Sequence, residues 1–154
     1  MDWVRWLLLF HVLTAIIGVG PTYFSHVLLR GNQSVGELRH SLRYAHLLEL
    51  FPKIGGTLAV LSGLALVAVT GYAFSEPWII ISIGLYLVIQ IIVIGFAAPL
   101  GNKLNEWIAT TPEADANPVP AAQSAQLARL NRFMSAASVL GVLLFAMMFL
   151  RPML

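Results

Sequence analysis

The sequence predicts an all-α protein, an integral membrane four-helix antiparallel bundle occupying 1–154 as a single domain. Three observations lead there. Of 154 residues, 58% are hydrophobic and 10% charged, whereas soluble domains carry about 25% charged residues. Mean hydropathy is +0.82. Four apolar stretches, about 3–29, 45–72, 77–99 and 131–150, each reach the ~20 residues that a bilayer-crossing helix needs. The short alternating segments of a membrane β-barrel are absent from the sequence.

The first stretch is too long for the apolar region of a signal peptide and opens at Asp2, so it reads as a span. The second contains Pro52 near its start. The third, "PWIIISIGLYLVIQIIVIGFAAPLG", has Pro77 suited to a first helical turn, with Pro99 and Gly101 closing its far end. The fourth is apolar to its C-terminal side. Between the first two spans, "GNQSVGELRHSLRYA" is short and charged, and predicts a helix near 35–44. The stretch 101–128 is rich in Pro and Ala and predicts a mobile cytoplasmic loop.

Charge sets the expected orientation. Arg30, Arg39, Arg43, Lys53, Lys103, Arg129 and Arg132 flank the two longer connections, while Arg5 and Arg151 lie at the opposite ends. Seven against two predicts cytoplasmic connections and extracytoplasmic termini in the cell membrane, by the positive-inside rule. Trp3, Trp6, Tyr72, Phe74 and Trp78 fall at the outer boundary and Trp107 at the inner one, as interfacial anchors do. A net charge of +2, with the basic residues placed between apolar segments, does not point to nucleic acid. The absence of cysteine excludes disulfides, thiolate metal sites and iron–sulfur clusters. No internal repeat marks an inverted-repeat transporter.

Polar residues within the spans form stripes. On a helix, His11, Thr14, Gly18, Thr22, Ser25 and His26 fall within about 60° of one direction, with His11 and His26 roughly 22 Å apart along the axis. His46, Glu49, Lys53 and Thr57 make a second stripe, Asn131, Ser135 and Ser138 a third, and Tyr86 with Gln90 a fragment of a fourth. Together these predict a polar bundle interior. Glu49 and Lys53, four apart in the favourable order, predict a pair inside or beside the bundle. If it were buried, losing one partner would cost more than losing both.

Ionisable side chains at membrane depth usually face a bundle interior and act there. Imidazole ligates haem iron and glycine leaves room for a flat macrocycle, so haem held by histidine is the leading candidate. His11 lies deepest, and Gly18, Gly20 and Pro21 follow it on the same helix. His26 and His46 flank one connection and form an alternative pair. The candidate cofactor-binding residues are thus His11, Gly18, His26, His46, Lys53 and Gln90, with His11, His26 and His46 as metal ligands. Small and hydroxylated residues at helix contacts are also ordinary membrane packing. Two further readings stay open: an accessory or structural subunit contacting another membrane subunit, a lipid or a second copy, and a small transporter or copper-handling protein.

The opening "LLLFHVLTAIIGVGPTYFSHVLLR" and "LRHSLRYAHLLELFPKIGGTLAVLSGLALV" resemble a family of small bacterial integral membrane proteins of unknown function. That family is similar in turn to the CopD copper-resistance proteins and the HemJ-type protoporphyrinogen oxidases. The features carrying the likeness are His11, Gly18 and Gly20, then Pro52 and Gly63. The resemblance implies a four-helix, haem-b-associated membrane protein with His11 as first-span axial ligand. The third span has Gln90 and no lysine, a departure from the HemJ type, so porphyrinogen oxidation is not carried over.

Overall fold

The computed structural model describes residues 2–151. Its elements are α1 (Asp2–Leu28), α2 (Val35–Leu48), α3 (Leu50–Thr70), α4 (Pro77–Gln90), a π-helical stretch (Ile91–Ala97), α5 (Ala98–Thr110) and α6 (Ala121–Leu150). They form four rods, each long and apolar enough to cross a membrane: α1, α2 with α3, α4 through α5, and α6. The chain is an integral membrane protein of the multi-pass, all-helical kind.

Proline explains both interruptions. Pro52 has no N–H to offer the Leu48 carbonyl, and the second rod breaks between α2 and α3 at Glu49. Pro99 cannot bond the Gly95 carbonyl, and the third rod widens just before it. There the Ala98 N–H donates to Val93 O, five residues back.

The spans pack in the order α3, α1, α6, α4. No Cα of α3 comes within 8 Å of α4, the π-helical stretch, α5 or α6. The second span is tied to the third and fourth only near the ends. At the hairpin end, Arg151 Nη1 donates to Tyr72 Oη (3.0 Å), and its guanidinium lies 5.5 Å from the Trp78 ring centre. At the opposite end, rich in Arg and Lys, α2 packs on α5.

That basic end holds the apolar core. Leu29, Val35, Leu38, Leu42, Ala97, Leu104, Ile108, Leu127 and Leu130 are buried together, each large aliphatic side chain contributing roughly 2 kcal/mol by leaving water. Elsewhere the spans expose long apolar faces, as lipid-embedded helices do. Ser34 caps α2 and exchanges bonds with Glu37, whose backbone N–H reaches Ser34 Oγ while its carboxylate accepts from the Ser34 N–H.

The stretch 101–128 differs from the loop its composition suggests. Helices extend into it from both sides, because Ala, Leu, Gln and Lys favour helix. The remainder, 111–120, is bonded to the first connection: Val35 N–H to Asn117 O (2.9 Å), Gly36 N–H to Asp115 O (3.0 Å) and Val119 N–H to Gln33 O (3.2 Å). Arg39 pairs with Asp115. A Cβ on Gly36 would lie 2.9 Å from Asp115 Cβ, so only glycine admits this docking. Buried Gln33 is fully engaged, donating to Leu28 O and Arg30 O and accepting from Ser41 Oγ.

Candidate functional site around His11

α1 and α3 run so close that their backbones touch. A Cβ on Gly18 would stand 2.6 Å from Gly56 N, and one on Gly55 would stand 2.7 Å from Gly18 Cα. Seven residues before Gly18, two turns along the same face, His11 occupies the continuation of this seam.

The His11 ring lies against Gly63, where a Cβ would be 2.9 Å from Cε1. The Nδ1–H donates to the Ala59 carbonyl at 2.8 Å, with Ser62 Oγ also in reach at 3.1 Å. Ser62 in turn donates to Leu58 O at 2.7 Å. This arrangement fixes the tautomer: the proton is on Nδ1 and the lone pair is on Nε2. Nε2 has no hydrogen-bond partner among the described residues. Thr14, one turn on, returns its hydroxyl to Phe10 O (2.8 Å), which satisfies a polar group at membrane depth within its own helix.

The remaining sequence candidates fall elsewhere. Gly18 is filled by the α3 backbone, so it serves helix approach and gives no clearance for a macrocycle. Gly20 meets nothing within 4 Å. His26 and His46 are both exposed, and no bond joins them; His46 Nδ1 is 3.8 Å from Glu49 Oε2 on its own segment. Lys53 Nζ reaches Glu49 Oε2 at 2.9 Å, with both side chains more than half exposed. The second stripe, His46, Glu49, Lys53 and Thr57, therefore points outward, not into a polar interior. The reason is geometric: Gly55, Ala59 and Ser62 form the opposite face, and small residues win the contact with α1. Gln90 is half-buried just before the π-helical stretch, away from His11's partners. On α6, Ser138 Oγ donates to Met134 O (2.9 Å) and Thr22 O (3.2 Å), and Asn131 Oδ1 is buried with no partner among the described residues.

Sequence reasoning missed Ser62 and the Ala59 carbonyl as His11's partners. The signal was present in the register: antiparallel packing with Gly18 opposite Gly55 puts His11 opposite residues near 62.

A family described as "Predicted integral membrane protein (DUF2269)" matches residues 5–152, nearly the whole chain. The chain belongs to this family. The DUF2269 description is in accord with the four apolar rods and names no ligand or reaction. No curated protein and no solved structure matches the chain.

Proposed function

We propose that this DUF2269 protein is a haem-b-binding integral membrane protein in which His11 would hold the iron through Nε2. The observation that carries the reading is the 2.8 Å bond from Nδ1–H to the Ala59 carbonyl. Metal-ligating histidines characteristically donate their second ring N–H to a carbonyl or carboxylate, which orients the ring and raises its basicity. Gly63 admits the imidazole edge.

Within the seam, Ala59 and Ser62 hold the imidazole plane and keep the proton off Nε2. A haem held by this histidine would supply an iron centre able to take a small exogenous ligand. Exposed His26 and His46 do not favour a second ligand pair. One half-buried histidine without a second partner histidine favours haem sensing or haem handling over electron transfer.

The full-length chain, expressed with haem supplied and purified in detergent, is expected to show a Soret band. His11→Ala should abolish it while His26→Ala and His46→Ala retain it. Ser62→Ala should keep the band but weaken haem affinity by roughly tenfold or more, as loss of a supporting bond does. A colourless wild type, or a band unchanged in His11→Ala, overturns the proposal. His11 would then be a hydrogen-bonded staple between α1 and α3, and the chain an accessory membrane subunit.

A further inference from the structure

A second site lies on the other side of the molecule from the α1–α3 seam. Where the third rod widens, a groove of about 430 Å³ opens between it and α6, lined by Gly95, Phe96, Leu100, Arg129, Arg132 and Phe133. Its floor and its rim differ chemically. Phe96 and Phe133 stack with ring centres 5.4 Å apart and planes 22° from parallel, giving an apolar floor beside Leu100. Arg129 and Arg132, three apart on α6 and therefore on one helix face, supply two guanidinium groups.

Neither arginine has a carboxylate within ion-pair distance among the described residues, although Arg30 and Arg39 both do. The location is equally informative. On the third rod the apolar run up to Leu100 gives way to Asn102 and Lys103, and on α6 Arg129 and Arg132 precede the apolar run from Ala136. Both helices thus pass from lipid-compatible to polar at the level of this groove. The π-helical stretch contributes by leaving Gly95 open: a Cβ there would meet nothing within 4 Å, so the groove is unfilled on that side.

We infer that this groove holds an anionic phospholipid, its phosphate on Arg129 and Arg132 and the upper part of an acyl chain along Phe96, Phe133 and Leu100. A guanidinium pair presents forked donors that match phosphate oxygens, and basic pockets between membrane helices attract anionic headgroups. Charge complementarity selects the headgroup, and the apolar floor selects a lipid over a free anion.

The test is native mass spectrometry of the full-length protein in detergent, titrated with phosphatidylglycerol and, separately, with phosphatidylcholine. Wild type should retain phosphatidylglycerol preferentially. Arg129→Gln with Arg132→Gln should lower its apparent affinity about tenfold or more, the order expected for removing basic residues from an anionic surface. Arg5→Gln with Arg43→Gln removes the same charge from elsewhere and should leave the preference intact. Gly95→Leu keeps both arginines but occupies the groove, and should reduce retention without unfolding the chain. Equal loss in the two double variants would overturn the proposal by assigning the effect to net charge. An unaffected Arg129/Arg132 variant would overturn it directly. Displacement of the lipid by millimolar inorganic phosphate as effectively as by excess phosphatidylglycerol would also reject it, since the acyl contact would then contribute nothing.

Discussion

The α1–α3 seam and the basic-end core hold the same chain together by opposite means. The core is made of large side chains: Leu38, Leu104, Leu127 and Val35 are completely enclosed by their neighbours. The seam is made by leaving side chains out, with Gly18 on Gly55 and Gly63 under His11. The difference follows from the solvent. Near the basic end, burying leucine removes it from water and is strongly favoured. Between helices in lipid the tails are as apolar as leucine, so association depends on close backbone packing and interhelical hydrogen bonds.

Enlarging the seam should therefore do more damage than thinning the core. Gly18→Leu forces a Cβ to within 2.6 Å of a backbone nitrogen that cannot step aside. Its cost should meet or exceed the ~3 kcal/mol upper end of ordinary overpacking. Gly20→Leu, two residues away and open on that side, should be tolerated. Thermal unfolding in detergent compares the two directly. Equal stability would mean that α1 and α3 are not in backbone contact.

Leu38→Ala should come next, at about 3 kcal/mol, the usual cost of truncating a fully buried leucine. The same melting measurement applies, and a loss below about 1 kcal/mol would place this cluster outside the stabilising core.

The smallest effect belongs to the outward stripe. Glu49 and Lys53 are paired, as their spacing predicts, but more than half exposed. Lys53→Met, Glu49→Gln and the double variant should all stay within about 1 kcal/mol of wild type, because an exposed pair loses little when broken. A single variant much worse than the double would restore the buried pair that the sequence alone suggests.

The sequence carries the four spans clearly, since hydrophobic run length is a strong and local signal. The break at Glu49 falls inside a span that the sequence predicts over 45–72, and Pro52 accounts for it. The helix near 35–44 follows from the short, charged stretch; in the structure Ser34 caps it and it extends to Leu48. What composition hides is direction. His46, Glu49, Lys53 and Thr57 share a face as periodicity requires, yet periodicity cannot say which face meets α1. Gly55, Ala59 and Ser62 lie on the competing face and decide it by size. The docking of 111–120 is hidden for another reason: apart from the Arg39–Asp115 pair and the clearance at Gly36, its bonds use backbone groups of Asp115, Asn117 and Val119, which carry no side-chain signature. The His11 environment is legible halfway. The register puts it opposite residue 62 or so, while the accepting carbonyl of Ala59 has no signature in the side chain.

The widened turn at Ile91–Ala97 has a consequence for phase. In an uninterrupted α-helix, Ile79, Ser82, Leu104 and Ile108 would share one stripe down the third rod. A π-helical stretch takes more residues per turn, so the stripe is rotated partway round the axis between its two halves. The hairpin half can then face α6 alone, while the basic half addresses both α2 and α6. One rod thereby meets two differently placed sets of neighbours. Removing one residue from 91–97 and closing the turn to ordinary α-helix would give nearly the same rotation, since one residue fewer is worth about 100°. The widened turn therefore accommodates one extra residue while each half of the rod keeps its own partners.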